Sequence, residues 1–429
     1  LLAFFERLRA GRKLRKRSPI LVVAPRSVVG QWHAEAARFA PKLRAVVHLG
    51  DRRARTITEL ISNQLIVTSY QTMHRDIELL SELDWTCVVL DEAQAVKNPS
   101  TQLRQAAARL RAASRFCVTG TPIENHLGEL WSQMDLVMPG LLGSETTFKA
   151  VVRRPVERHA ATVPLGFLKK RIRPFILRRK KSSIELDLPP KTEATLSIHL
   201  EQEQRDLYES LRLELDTQVR RALGKTGKAS SMVILEALLK LRQCCCDPRL
   251  LPLDSARKLH SSAKLERLMA MLDELVDSER SVLVFSQFTS MLALIKERCA
   301  AAGIDTLELT GSTRNREKVV QAFQNGAAPV FLISLKAGGT GLNLTRADTV
   351  IHYDPWWNPA VEEQATDRTH RIGQDKPVFV YRLVAADTVE DRMHELQRDK
   401  RAIADAVYAG GDVTSLAKSD LTALFRELV

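Results

Sequence analysis

Short runs of apolar and β-branched residues recur along the chain, with helical stretches between them. ILVVAP (20–25), LIVTSY (65–70), TCVVLDE (86–92) and RFCVTGT (115–121) form a first set, each bounded by Pro, Gly or polar residues. Runs that are apolar throughout, without alternation, suit strands of a parallel sheet covered on both faces. The helical stretches between them complete βαβ units. The same rhythm returns in SVLVFSQF (281–288), TLELTGST (306–313), PVFLIS (329–334), DTVIHYD (348–354) and PVFVYRLV (377–384). The pattern predicts an α/β chain with one lobe over 1–140 and another over 261–395.

Between the lobes, over 141–260, no strong strand run appears. Residues 200–247 read as helical, with Leu207, Leu211 and Leu215 and then Leu235, Leu238, Leu239 and Leu241 at helical spacings. KKRIRPFILRRKK, Lys169 to Lys181, is rich in Lys and Arg and holds no acid. A basic linker and a helical insert are placed here, and a helical extension over 396–429. The opening LLAFFERLRAGRKLRKR reads as a helix already under way. It has no N-cap signal, and its basic residues follow the apolar part, which is not the order of a signal peptide. The expectation is a chain cut at its N-terminus.

Composition narrows the class. At roughly 100–200 residues per domain, 429 residues make two or three domains. No apolar run approaches the roughly 18–20 residues that span a bilayer, so no membrane is expected as a partner. Lys and Arg outnumber Asp and Glu by 64 to 51, a formal charge of +13. A basic balance is the usual footprint of a phosphate-backbone partner, although anionic membranes or acidic proteins also fit it. The six cysteines form no C-x-x-C pair, and neighbours Cys244, Cys245 and Cys246 would point three ways from a helix, so buried thiols are expected and a zinc site is not.

The chemistry-bearing strings fall at strand ends. In VVLDEAQ (88–94), Asp91 and Glu92 close a strand at the carboxyl edge, where α/β sheets hold ligands. Such an Asp can hold Mg²⁺ through water, and the neighbouring Glu can polarise a water for attack on a γ-phosphate. Two acids capping the next helix are the alternative. TGTPIEN (119–125) suits a tight loop near phosphate or metal, or a plain strand-to-helix turn. KAGGTGLNL (336–344) has glycines that would let backbone N–H groups approach an anion. In QATDRTHRIGQ (364–374), Gln364, Arg368 and Arg371 are spaced for one helical face, and paired arginines suit a phosphoryl-transfer transition state. Surface ion pairs to Glu363, Asp367 or Asp375 would use the same residues. GKT at Gly224–Thr226 is not a phosphate loop. The pattern G-x-x-x-x-G-K-[ST] needs a glycine where Val219 stands, and no strand precedes it.

Taken in order, these strings resemble the Swi/Snf family of superfamily-two helicase-like ATPases. The resemblance runs from about Ser18 to about Asp391. It is carried by APRSVVGQW (24–32), VTSY (67–70), LDEAQ (90–94), VTGTPIEN (118–125), RPFILRRKK (173–181), LPPKTE (188–193), VFSQFTSML (284–292), LTGST (309–313), KAGGTGLNL (336–344), HYDPWWNPAVEEQATDRTHRIGQ (352–374) and VYRLV (380–384). It implies two RecA-like parallel-sheet lobes, with the helical insert between them, closing over ATP. It implies Asp91 for Mg²⁺, Glu92 for the attacking water, and Gln364, Arg368 and Arg371 for the phosphates, with Gly339 and Gly341 beside the nucleotide. Thr119, Gly120 and Thr121 would couple nucleotide to nucleic acid. Pro25, Arg26, Ser27, Thr68, Ser69, Gly311, Ser312, Thr313 and Lys336 would grip DNA.

The implied activity is ATP-dependent translocation on double-stranded DNA without sequence preference, with a DNA-bound protein complex as a further partner. A strand-separating helicase and a non-catalytic DNA-binding scaffold are the alternatives. The scaffold reading predicts decay of the acidic and arginine motifs, and Asp91, Glu92, Arg368 and Arg371 are all present. The nucleoid or cytoplasm of a prokaryote, or otherwise a nucleus, is the implied location. Two departures stand out: the family's first motif, a GxGKT-type loop, is absent from these residues, and Gln94 stands where many superfamily-two proteins have His. Without that loop the chain alone is expected to be inactive, with a gap and unpaired edges in its first sheet.

Overall fold

The fold was analysed on a computed structural model. The structure describes residues 1–395 except 12–13, 15–16, 52, 121–125, 160–161, 178, 180–187, 224–227, 258, 260–261 and 339–341. The chain divides into two compact units, with the boundary between Leu177 and Arg178.

The first unit runs α1 (Leu2–Ala10), β1 (Ile20–Ala24), α2 (Arg26–Phe39), β2 (Ala45–His48), α3 (Ile57–Ile61), β3 (Leu65–Ser69), α4 (Tyr70–Arg75), α5 (Ile77–Ser81), β4 (Asp84–Trp85), β5 (Cys87–Asp91), α6 (Gln102–Arg109), β6 (Arg111–Ala112), β7 (Arg115–Val118), α7 (Leu127–Val137), α8 (Glu145–Phe148), α9 (Arg154–His159) and α10 (Thr162–Ile172). Its main sheet has the order β2-β3-β1-β5-β7, parallel throughout. Val22 of β1 stands between Val67 of β3 and Val89 of β5. Successive side chains leave opposite faces of the sheet. Leu21, Val23, Ile66, Val88 and Leu90 enter one core, and Ile20, Val22, Ala24, Leu65, Val67, Cys87 and Val89 the other. Both faces are covered, so these strands have no polar alternation. Helices α7 to α10 add a smaller core around Leu130, Phe148, Val156 and Leu168.

The second unit runs β8 (Lys191–Ile198), α11 (Gln202–Leu223), α12 (Lys228–Cys246), α13 (Asp254–Arg257), α14 (Ala263–Asp277), β9 (Val282–Ser286), α15 (Thr289–Ala301), β10 (Thr306–Leu309), α16 (Arg316–Gln324), β11 (Val330–Ser334), α17 (Leu335–Gly338), β12 (Thr349–His352), α18 (Pro359–Thr366) and β13 (Val378–Ala385). Its sheet has the order β10-β11-β9-β12-β13-β8, again parallel. Val282 and Val284 face one core, and Leu283 and Phe285 the other.

The nine apolar runs are all strands, and the two parallel sheets are those expected. Three points differ. Residues 141–260 do not form one intervening insert: α8 to α10 pack in the first unit, while β8, α11 and α12 build the second, with Leu211 and Leu238 in a core with Ala385 and Val389. Within that segment β8 is an eight-residue strand on an edge, paired to β13 alone among the described strands and largely exposed, so its sequence alternates and lacks an apolar run. Among the described residues the first sheet has no internal gap. Its strands pair continuously, and the half-exposed strands are β2 and β7 at the two ends of the order. Cys244, Cys245 and Cys246 are buried, as expected, and burial pushes the Cys244 thiol up to about 12. Among the described residues no helix is long and apolar enough to cross a membrane.

Candidate functional site

In a parallel sheet every strand ends on the same edge, and open α/β sheets bind ligands at that carboxyl edge. In the first unit the edge carries Pro25, Arg26 and Ser27 after β1, Ser69 at the end of β3, Asp91 and Glu92 at the end of β5, and Thr119 and Gly120 after β7.

Asp91 is gripped on both carboxylate oxygens. Oδ1 accepts the Glu92 N–H at 3.0 Å, and Oδ2 accepts the indole N–H of Trp32 at 2.8 Å. The Tyr70 hydroxyl donates to the Asp91 carbonyl at 2.8 Å. Glu92 has φ +50° and ψ +54°, the left-handed region, which costs an L side chain roughly 1–2 kcal/mol. Glu92 stands at the N-cap of the short 3-10 turn Ala93–Val96, and its side chain makes no cap hydrogen bond there. The Gln94 amide donates from Nε2 to Glu92 Oε2 at 2.9 Å, and its Oε1 accepts the Thr119 hydroxyl at 3.0 Å. A carboxylate only accepts, so the amide can face one way alone. Glu92, Gln94 and Thr119 thus form a directed hydrogen-bond chain from the end of β5 to the end of β7.

The expected DNA grips in this unit separate into two kinds. Arg26 and Ser27 are exposed at the start of α2. Thr68 and Ser69 are buried, and their hydroxyls are used internally: Thr68 donates to the His48 carbonyl, and Ser69 caps α4 by accepting the Thr72 N–H. Their side chains hold the sheet edge and offer no surface to DNA. Thr121 lies outside the described residues.

In the second unit Gly311 and Ser312 are exposed in a turn after β10, tied by Thr313 Oγ1, which accepts the Thr310 N–H at 2.9 Å. Lys336 is exposed just beyond β11. Gly338 is a glycine for packing reasons, because a Cβ there would lie 2.5 Å from Phe285. Gly339 and Gly341 lie outside the described residues.

Gln364, Arg368 and Arg371 do not share one helical face. Helix α18 ends at Thr366, and both arginines follow in turns. Arg368 is 4% exposed, and its carbonyl accepts the Leu344 N–H at 3.0 Å, which joins this turn to the end of the glycine-rich segment. Arg371 Nε donates to the Asp367 carbonyl. Gln374 ties the loop together, donating to the carbonyls of Thr345, Ala347 and Thr369.

Four residues that matter here were not singled out in the sequence. Trp32 and Gln374 stand at the ends of the strings APRSVVGQW and HRIGQ, which was the only signal for them. Arg242 of α12 donates to Gln287 Oε1 and to the Pro355 carbonyl, with the rings of Phe288, Trp356 and Trp357 each 5.7–5.8 Å from its guanidinium. Asp354 lies 3.6 Å from Arg242 and accepts the Ser286 hydroxyl at 2.6 Å; burial raises its carboxyl, and Arg242 opposes the rise. Together they fix the DPWWNP loop to α12 and β9.

Comparison with known proteins fits this layout. The SNF2-related domain family matches residues 1–250, and the helicase conserved C-terminal domain matches 263–373. YwqA of Bacillus subtilis, named as an ATP-dependent helicase/translocase, is 37% identical over 422 residues, covering 96% of this chain and 45% of that protein. The human SWI/SNF-related matrix-associated actin-dependent regulator of chromatin subfamily A member 1 is 33% identical over 440 residues, covering 95% of this chain and 41% of that protein. The chain therefore spans less than half the length of these curated relatives. The SWI2/SNF2 ATPase core of Sulfolobus solfataricus, solved in complex with double-stranded DNA, is 33% identical over 99% of this chain and 89% of that one, with a TM-score of 0.46. The first family match alone covers more than half of the 429 residues, and the chain belongs to the SNF2-related family.

Proposed function

We propose that this chain is the motor of an ATP-driven translocase on double-stranded DNA. The observation that supports it best is the Glu92–Gln94–Thr119 chain at the carboxyl edge of the first sheet, in a protein of this family. Asp91 fits a hard cation: it is a partly exposed carboxylate whose oxygens each take one internal donor, leaving lone pairs for a metal-bound water. Mg²⁺, when bound, would neutralise phosphate charge. Glu92 orients the attacking water and takes up its proton on a carboxylate oxygen. Gln94 and Thr119 hold Glu92 in its left-handed position and report that position to the neighbouring strand end. In the second unit, Arg368, Arg371 and Gln364 are the side chains suited to contact phosphate, where arginines stabilise developing phosphoryl charge.

Arg26, Ser27, Gly311, Ser312, Thr313 and Lys336 contact phosphates, which carry no base sequence. The basic segment from Lys169 to Lys181 adds to that contact. These 429 residues hold no G-x-x-x-x-G-K-[ST] string, so turnover by this chain alone stays at background. The place of work is the cytoplasm or nucleoid of a prokaryote, or otherwise a nucleus, and a DNA-bound protein complex is a further partner.

Duplex titrations at increasing salt test the reading. Affinity should fall with a log–log slope of about −0.9 per neutralised phosphate and barely depend on sequence. A flat salt response with strong sequence preference would refute it. A strand-displacement assay on the full-length protein, with its phosphate loop, separates the translocase from a strand-separating helicase, which alone would release single strands.

A further inference from the structure

Resting on the proposed function, we infer that Trp32 is a positioning residue, linking DNA held at the start of α2 to the carboxylate of Asp91. Helix α2 begins at Arg26, directly after the end of β1 and Pro25. Arg26 and Ser27 are exposed there, and no side chain caps the helix. Trp32 stands six residues on, roughly 9 Å along the same helix. Its ring is partly buried against the core under β1, and its Nε1–H is 2.8 Å from Asp91 Oδ2, a residue 59 positions away in sequence.

An indole N–H can only donate, and an ionised carboxylate can only accept, so the contact has one polarity. With the Glu92 N–H on the other oxygen, it fixes the rotation of the Asp91 carboxylate. The same two donors leave the remaining lone pairs pointing in a set direction. Helix α2 spans fourteen residues and packs through Val29 and Ala36, so it moves as one body. A tilt of α2 under phosphate contact at Arg26 and Ser27 shifts the Trp32 N–H relative to Asp91 and turns the carboxylate. DNA would thereby set the orientation of the metal-holding group without touching it.

The test uses the full chain labelled with ¹⁵N and reads the indole N–H resonances of its five tryptophans. Trp32→Phe assigns the Trp32 peak, and circular dichroism checks that the variant is folded. Without DNA, Asp91→Ala should move the Trp32 indole proton upfield, as expected on loss of a charged acceptor. Adding a short DNA duplex to the wild type should then shift the Trp32 peak progressively until binding saturates. Trp85 and Trp131, whose indoles donate to the Leu80 and Gly143 carbonyls in the same unit, should stay in place. Arg26→Ala should shrink the Trp32 shift at equal DNA occupancy.

Fluorescence anisotropy on the same samples reports duplex binding independently. Binding with an unmoved Trp32 peak, or a Trp32 peak indifferent to Asp91→Ala, overturns the inference and leaves the proposed function standing. No duplex binding at all overturns the proposed function, and the inference with it.

Discussion

Replacing Lys264 with methionine should destabilise the second unit more than almost any other single change. Lys264, in the first turn of α14, and Glu390, beyond β13, are both fully buried. The ammonium bonds both carboxylate oxygens, at 3.0 and 2.8 Å, and lies 5.1 Å from the Tyr353 ring. Glu390 Oε2 also accepts the Ala385 N–H at 2.9 Å. Methionine fills a similar volume but leaves a buried carboxylate without its cation, which costs about 3–5 kcal/mol. For a unit of this size each kcal/mol moves the melting temperature by about 2–4 °C, so a drop of about 6–20 °C is expected. Adding Glu390→Gln should recover most of it, because the amide oxygen still accepts the Ala385 N–H and no charge is left buried. Differential scanning calorimetry of the wild type and both variants measures this. Burial pulls the Lys264 pKa down, Glu390 outweighs that, and the net direction is upward. Lys264's own contribution is therefore fully present below the ordinary lysine pKa and falls away as pH rises through the higher folded value. A drop under about 2 °C for Lys264→Met, or no recovery in the double variant, would refute the reasoning.

Further outcomes follow from single sites. Glu92→Gly should be more stable than Glu92→Ala by about 1 kcal/mol in urea unfolding, since both lose the Gln94 bond and only glycine relieves the left-handed backbone; alanine as the more stable variant would contradict the strain. Gly338→Ala should cost about 1–3 kcal/mol in the same assay, because its Cβ collides with Phe285. Burial alone would raise the Glu193 carboxyl, but Lys191 and Arg382 hold it down to about 2 from its ordinary 4.5. Its stabilisation is present above the ordinary value and lost as pH falls toward 2, so Glu193→Gln should flatten stability against pH across that acid window. Amide exchange should be faster in β7, a half-exposed end strand, than in β1, which is paired on both sides.

Much of this protein was legible in the chain alone. ILVVAP, SVLVFSQF and most of the other apolar runs became inner strands, because a strand buried on both faces needs apolar residues at every position, a local property; the runs at 115–121 and 306–313 became end strands. Asp91 and Glu92 were legible for the same reason: the strand ended there, and a parallel sheet gathers its strand ends on one edge. What the tertiary structure decided was everything that depends on a partner. The edge strand β8 acquires its state from pairing with β13, more than 170 residues away, and its alternating sequence does not announce it. Spacing put Gln364, Arg368 and Arg371 on a helix, yet α18 stops at Thr366, and Arg368 instead bonds through its carbonyl to Leu344. The left-handed backbone at Glu92, the turn of the Gln94 amide toward Thr119 and the indole of Trp32 on Asp91 leave no local trace. Periodicity reports which way a side chain faces along its own element, whereas a hydrogen bond depends on where a second element, distant in sequence, has been packed.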